Sequence, residues 1–164
     1  MSIREPLLGM YCGAASNAFS RMSAVETWLG RQVEVQTDGL AYDSPTNMLS
    51  AAEWAIRGAW SKPNRLYAVS IPLLWNDASK YDLLGASLGK YNIHYEALCR
   101  VFAKYNTQNI ILRPGWEMNG NWYPWGIRMT GDKTPQYENY KQAFINFVNY
   151  ARQYIPGVMI CFNP

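Results

Sequence analysis

The 164-residue sequence has few charged side chains and no run of like charge. Its 15 basic and 12 acidic residues are scattered and give a formal net charge of +3. That distribution leaves no basic stripe for a phosphate backbone, so we expect no nucleic-acid partner. No apolar stretch approaches the roughly 20 residues that span a bilayer, and no basic segment with a long apolar run after it opens the chain. We therefore expect no membrane association and find no signal peptide.

Cysteine is also scarce. Cys12, Cys99 and Cys161 are odd in number, widely spaced and set among apolar neighbours. That pattern suggests neither a disulfide framework nor a CxxC metal site, so we expect buried free thiols and no metal. A glycine-rich phosphate loop is missing after the first apolar run, because Gly9 and Gly13 do not form that pattern.

Aromatic residues, in contrast, are abundant. Hydrophobic residues make up 49% of the chain, as in a folded domain, and they include 7 Trp and 12 Tyr. Several of these aromatics stand beside Gly, Asn and Pro, as residues of loops do. Exposed aromatic rings on loops favour a flat, weakly polar ligand.

Five short apolar runs have the length of strands and mostly lack an in/out alternation, as expected for strands buried on both faces. They are Leu7 to Cys12, Val33 to Thr37, Leu66 to Leu74, Ile110 to Pro114 and Val158 to Phe162.

Helical signals separate these runs. Ser23 with Glu26, and Ser50 with Glu53, have the spacing of capping boxes, and Gly30 is a stop signal after the first. A longer helix is predicted from an apolar stripe that begins at Ile93 and ends at Tyr105. Thr134-Pro135 is predicted to cap a last helix whose stripe runs from Tyr140 to Ile155, and Gly157 is predicted to end it.

Alternating strands and helices predict a parallel α/β fold with right-handed crossovers. A (β/α)8 TIM barrel has about 250 residues, so we interpret 1–164 as the N-terminal part of a single barrel domain with its first five strands. The alternative is a small open doubly wound sheet. In a partial barrel the interior, expected to include Val35, Val69, Ile71 and Ile111, lacks partner strands, which predicts self-association.

The most informative segment runs from Arg113 to Trp125, at the carboxyl end of the fourth strand, where βα barrels build their active sites. Glu117 is its only carboxylate, and neighbouring tryptophans should partly dehydrate it, as suits a proton donor. Indole faces can stack on sugar rings, and Asn119 can bind hydroxyls. In the alternative reading, Asn119-Gly120 is a tight turn, the tryptophans are core residues and Glu117 is a solvated loop residue.

The order Arg-x-x-x-Glu-Met-Asn-Gly-x-Trp-Tyr-Pro-Trp resembles the strand-four signature of glycoside hydrolase family 26, which contains β-mannanases and related endo-glycanases with TIM barrels. Weaker similarity covers most of the chain. It lies at Gly9 to Gly13, Trp28 to Arg31, Ser70 to Leu74 and Phe162 to Pro164.

The resemblance implies a retaining hydrolase, secreted or at the cell surface, that needs no cofactor and cleaves a β-linked polysaccharide such as mannan. Glu117 would be the acid/base and Arg113 would support the carboxylates from within the barrel. The residues expected to bind the substrate are Trp116, Asn119, Trp122, Trp125, Asp38 and Asn163. Trp116 stands where family mannanases commonly have histidine. A non-catalytic carbohydrate-binding domain or pseudoenzyme is the alternative.

Retention of configuration needs a second carboxylate about 5–5.5 Å from the first. In family 26 that glutamate ends strand seven, which places it beyond residue 164. Within the chain the nearest candidates are Asp38, Asp77 and Asp82, whose surroundings do not match; Asp38 is instead a substrate-binding or loop-capping candidate. His94 has no paired catalytic motif, and the loop from Trp75 to Lys90 is expected to form a wall of the substrate cleft.

Overall fold

A computed structural model of the chain describes residues 6–13, 17–60, 64–128 and 136–164. Within these ranges the strands form one parallel sheet in the order β1-β2-β3-β4-β5. The strands are β1 (Gly9–Met10), β2 (Val35–Gly39), β3 (Leu66–Ile71), β4 (Ile110–Pro114) and β5 (Met159–Ile160). All five predicted strands are confirmed, although β1, β3 and β5 are shorter than their apolar runs and β2 begins and ends two residues later than predicted. Because the order of the described strands has no reversal, this part of the sheet has no switch point of the kind found in doubly wound sheets.

Helices connect consecutive strands. They are α1 (Asn17–Leu29), α2 (Pro45–Trp54), α3 (Leu83–Ser87), α4 (Asn92–Lys104) and α5 (Tyr137–Tyr154), and a π-helical turn (Ala55–Ala59) continues α2. The predicted mixed α/β fold with parallel crossovers is therefore confirmed. No helix in the described ranges is long and apolar enough to cross a membrane.

The two faces of the sheet have different environments. Side chains alternate along β2 and β4 between buried and half-buried positions. Val69 and Ile71 are fully buried in the core shared with the helices, whereas Val35 and Ile111 are half-buried on the opposite, open face. The prediction that Val69 and Ile71 line a barrel interior was therefore wrong, because strand periodicity places them on the helix-covered face.

The core is aromatic and lies between the sheet and the helix layer. Trp60 stacks on Phe102 of α4 with ring centroids 6.3 Å apart, and Tyr95 meets Phe147 of α5 edge to face at 5.7 Å. Rings of this size bury a large apolar area, which stabilises the crossovers on one face of the sheet.

The two predicted capping boxes were wrong. Ser23 and Ser50 lie inside α1 and α2, where their neighbours' amides already donate to helical carbonyls. Helix α2 instead begins after Ser44, whose hydroxyl accepts a hydrogen bond from Asn47 N–H at 3.2 Å, and Pro45 occupies its first turn.

Glu26 has a different structural task. Its carboxylate pairs with the buried guanidinium of Arg65 and accepts the Val33 amide at 2.9 Å. The guanidinium also donates to the carbonyl oxygen of Val33 at 3.1 Å and to Gln36 at 3.3 Å. This network lies below the amino ends of β2 and β3, because Val35 and Leu66 are paired in register there. A buried guanidinium requires such partners, since an unpaired charge is costly to bury.

The two long helices were predicted correctly, with one exception in their stripes. Ile93 is 70% exposed, so it lies outside the buried face of α4. Gly30 and Gly157 follow the ends of α1 and α5 with φ of 67° and 81°, as expected for glycine stop signals. The predicted cap at Thr134-Pro135 lies outside the described residues.

The three cysteines are free. Cys99 is buried, and burial raises the pKa of its thiol to about 12. Cys12 and Cys161 are half-buried, so the expectation of a fully buried thiol is confirmed only for Cys99.

Candidate functional site

The chain turns sharply where β4 ends. Gly115 has φ of 57°, and a Cβ atom there would lie 2.6 Å from Leu73 Cδ1 and 2.8 Å from Tyr140 Cε2. Only glycine satisfies both the left-handed backbone and the close packing. The Tyr140 hydroxyl donates to the Gly115 carbonyl at 2.8 Å, which ties the turn to α5.

Glu117 follows this turn in a left-handed conformation, with φ of 55°. A non-glycine residue rarely adopts this conformation, so the surrounding contacts must hold it. Its N–H donates to the carbonyl of Asn163 at 2.8 Å, and its own carbonyl accepts from Gly120 N–H at 3.0 Å. The segment after β5 therefore fixes the backbone of the proposed catalytic residue.

The Glu117 carboxylate is half-buried and has a partner. The indole Nε1 of Trp122 donates a hydrogen bond of 2.8 Å to Oε2 of Glu117. The Trp122 ring can approach because residue 120 is glycine: a Cβ atom there would lie 2.5 Å from Trp122 Cζ2. Trp122 itself is 59% exposed, so one tryptophan of the motif does present its ring to solvent.

Arg113 lies on the open face of the sheet, in register with Ser70 and Gly39. Its guanidinium donates to the Ser70 hydroxyl at 3.2 Å and to Asn163 Oδ1 at 2.5 Å. Asn163 thus bonds to Arg113 through its side chain and to Glu117 through its backbone. This pair of contacts joins β4 to the segment after β5.

A cavity of about 750 Å³ opens above this row, at the carboxyl edge of the sheet. Its lining residues are Tyr11, Thr37, Asp38, Gly39, Leu40, Tyr42, Ala68, Ser70, Arg113, Trp116, Glu117, Tyr123, Cys161 and Asn163. Of the predicted site residues, the cavity brings together Glu117, Arg113, Trp116, Asn163 and Asp38. Its volume is that of sites that bind small organic ligands.

Trp125 does not belong to the cavity surface. It is completely buried, its ring stacks on Tyr123 at 4.7 Å, and its indole N–H donates to the Trp116 carbonyl at 2.7 Å. The expectation that Trp125 stacks on a sugar ring was therefore wrong, because the protein covers its ring faces and also its indole N–H. It supports Trp116 and Tyr123, which do line the cavity.

Asn119 is exposed and lies outside the residues that line the cavity. Its predicted contact with substrate therefore has no support from this geometry.

Asp38 approaches the cavity from the helix-covered side of the sheet. It pairs in register with Val69, a core residue, and is only 5% exposed. Its oxygens accept the Trp60 indole N–H at 2.9 Å and the Gly39 amide at 2.8 Å. Burial raises the pKa of Asp38, an effect that these two hydrogen bonds partly offset. This carboxylate holds the end of β2, which fits the loop-capping alternative better than direct substrate binding.

The other two aspartates considered as carboxylate partners have local tasks. Asp77 accepts from Ser79 and pairs with Lys80 at 2.8 Å, which lowers the pKa of Asp77. Asp82 caps α3 by accepting the Gly85 amide at 2.6 Å. Neither lines the cavity that contains Glu117.

The segment 75–90, predicted to be a loop, contains helix α3. Trp75 is completely buried, and His94 lies against it with ring centroids 5.2 Å apart. Burial lowers the pKa of His94. Asn76 and Tyr81 of this segment face Pro124 across a separate cavity of about 470 Å³. The segment thus borders a cavity on the edge of the sheet, and its role as a wall of a substrate cleft stays a prediction.

Sequence reasoning missed Tyr42 and Tyr123. Tyr42 meets the rings of Trp116, Tyr123 and Trp125 edge to face, at centroid distances from 5.6 to 6.5 Å. A tyrosine just after a strand end was the available signal for Tyr42. The described residues contain no group of three or more His, Cys, Asp or Glu side chains that could hold a metal ion.

No protein-family model matches the chain, and no curated protein matches it. Among solved structures, the chain is similar to the crystal structure of the YdhT protein from Bacillus subtilis, with a TM-score of 0.64 at 13% sequence identity. The similarity covers 95% of this chain and 55% of that one, so this chain spans about half the length of that protein. At this identity the likeness shows the fold alone, a mixed α/β fold with a parallel sheet.

Proposed function

We propose that this chain forms the first five βα units of a TIM-barrel glycoside hydrolase of family 26 type, in which Glu117 is the general acid/base. The observation that carries the proposal is the placement of Glu117: it lies after β4, at the carboxyl edge of a parallel sheet, in a cavity of about 750 Å³ lined by aromatic side chains. The strand-four resemblance assigns the acid/base role to this same glutamate.

The chemistry of the cavity suits a neutral glycan. Tyr42, Trp116 and Tyr123 supply apolar rings, and Asn163, Ser70 and Arg113 supply polar groups. In the proposed reaction Glu117 gives its proton to the leaving glycosidic oxygen while a second carboxylate attacks the anomeric carbon. Glu117 then takes a proton from the water that displaces that carboxylate.

The second carboxylate belongs, in this proposal, to a later βα unit. Within the described residues, Asp38 is the other carboxylate beside the cavity, and it is held by Trp60 and Gly39. The substrate is proposed to be a β-linked polysaccharide, mannan or a related glycan. Further strands would cover the open face around Val35 and Ile111, and the isolated 164-residue chain is proposed to self-associate through that face.

The test is Glu117→Gln in a protein that carries this chain together with the later βα units. Hydrolysis of unactivated polysaccharide should fall by orders of magnitude, whereas glycosylation by aryl glycosides with good leaving groups should be partly preserved, because these need little protonation. Glu138→Gln, an exposed change on α5, is the matched control and should leave both rates unchanged. Near-parental hydrolysis by Glu117→Gln would remove Glu117 from the mechanism.

The second candidate function is non-catalytic glycan binding. It is favoured by the observation that, among the described residues, the cavity combines aromatic and polar groups with only one carboxylate besides Glu117. That carboxylate, Asp38, is already hydrogen-bonded to Trp60 and Gly39. Titration of the parent protein with oligosaccharides of mannan, xylan and mixed-linkage glucan, beside a reducing-sugar assay, separates the two. Binding without any release of reducing ends would support the binding domain.

A further inference from the structure

Another cavity of about 470 Å³ lies on the other side of the segment that follows β2 and differs from the one that Tyr81 and Pro124 line. We call it the second cavity. Its remaining wall is the end of α2 and the π-helical turn, from Ala51 to Trp60. Asp38, Gly39, Leu40 and Tyr42 line both this cavity and the one that contains Glu117. The two cavities therefore share one wall, and Tyr42 is part of it.

Trp54 gives this second cavity an aromatic surface. It is the last residue of α2, it is 50% exposed, and it lies outside the hydrophobic core cluster. A half-exposed indole contributes less to folding than a core tryptophan does, and its open face can stack on a sugar ring. The π-helical turn begins at the next residue, and such turns occur frequently at functional sites.

The polar groups of the cavity define the charge of its ligand. Among the described residues, Asp38 and Asp43 are its charged lining residues, and no lysine or arginine of those ranges lines it. Two carboxylates disfavour an acidic ligand such as a uronic acid. Asp43, Asn76 and the Tyr42 hydroxyl can instead exchange hydrogen bonds with the hydroxyl groups of a neutral sugar.

We propose that this second cavity is a remote subsite that binds a neutral sugar unit of the same glycan chain that occupies the Glu117 cavity, with Trp54 as its stacking surface. The inference rests on the proposed function, because it requires a glycan in the first cavity. The proposed substrate is therefore an uncharged glycan that is long enough to occupy both cavities and pass over Tyr42. A disaccharide is too short to do so.

The experiment compares Trp54→Ala with Trp28→Ala by isothermal titration of the full chain with a neutral β-linked disaccharide and hexasaccharide. Trp28 is the matched control, since it is 82% exposed on α1 and lines neither of the two cavities. Trp54→Ala should weaken hexasaccharide binding about tenfold, the loss expected for one stacking contact, and leave disaccharide binding unchanged. Trp28→Ala should change neither affinity, and calorimetry should show both variants folded.

Tyr11→Ala separates the two levels of the proposal, because Tyr11 is 63% exposed and lines the Glu117 cavity but not the second one. If it weakens the binding of both ligands while Trp54→Ala binds the hexasaccharide as tightly as the parent, the remote subsite is wrong and the proposed function stands. Equal losses on both ligands for Trp54→Ala also overturn a separate subsite. If neither this chain nor the protein that carries it together with the later βα units binds either ligand, the proposed function fails and the remote subsite fails with it. An acidic hexasaccharide that binds as tightly as the neutral one would overturn the assigned charge.

Discussion

The Trp122 indole and the Glu117 carboxylate are joined by a hydrogen bond of 2.8 Å across a turn that places both at the carboxyl edge of the sheet. The bond holds Oε2 and thereby fixes how the whole carboxylate, including Oε1, is oriented. The indole that makes this bond is 59% exposed. Gly120 permits the approach, because a side chain there would overlap the ring. Trp122 therefore orients the Glu117 carboxylate. It is not one of the residues that line the cavity, and we predict that its exposed ring also contacts a ligand.

The two roles of Trp122 can be separated. Trp122→Phe keeps an aromatic face and removes the indole donor, so glycan affinity should stay within about threefold of the parent, whereas turnover in the protein with later βα units should fall by about tenfold or more. Trp122→Ala should lower both. Calorimetric titration measures the first quantity and steady-state hydrolysis the second. Parental turnover in Trp122→Phe would exclude the positioning role.

Trp125 and Trp122 should differ in their effects on stability. Truncation of the fully buried Trp125 leaves a large cavity and removes the indole bond to the Trp116 carbonyl, so Trp125→Ala should lower the free energy of unfolding by about 3–5 kcal/mol. Trp122→Ala, at an exposed site, should change it by about 0.5 kcal/mol or less. Urea denaturation followed by circular dichroism measures both. Similar losses would contradict the packing described for Trp125.

Gly115 should be less tolerant of a methyl group than Gly30. Both have positive φ, so alanine strains the backbone at either position by about 1 kcal/mol. At Gly115 the added Cβ also overlaps Leu73 and Tyr140, whereas at Gly30 it meets nothing within 4 Å. Gly115→Ala should therefore cost about 2 kcal/mol or more beyond Gly30→Ala, measured by the same denaturation. Equal costs would show that the backbone alone selects glycine at Gly115.

Asp38 should make stability depend on pH. Because burial raises its pKa in the folded state, the folded protein binds this proton more tightly than the unfolded chain does. The resulting contribution is fully present below the unfolded value of about 3.9 and is lost as the pH rises through the folded pKa. Unfolding free energies measured at successive pH values should thus show the parent losing stability relative to Asp38→Asn as the pH rises from about 4 through the raised pKa of the folded state.

A second variant checks the cause. Trp60→Phe removes the indole donor that offsets the effect of burial on Asp38, so the loss of stability with rising pH should become larger in that background. A pH-independent difference between the parent and Asp38→Asn would show that the carboxyl group is solvated in the folded state.

Local sequence patterns determined the order of the elements. The apolar runs predicted every strand, and β4 was predicted with its observed bounds, because a strand between a helix end and a motif rich in Gly and Pro is defined by its neighbours. The stripes of α4 and α5 predicted long helices for the same reason: a 3.6-residue period over many residues is hard to produce otherwise. The capping boxes failed because four-residue patterns occur inside helices as well as at their ends.

The tertiary structure decided which residues share the site. The sequence indicated Glu117 and its tryptophans, but not that Trp122 is exposed and Trp125 buried, because both stand in the same loop and differ only in what packs against them. It did not indicate that Asp38 bonds to Trp60, or that Asn163 bonds to both Arg113 and the Glu117 backbone. These contacts join segments far apart in the chain. Strand register brings them together, and register is a property of the assembled sheet.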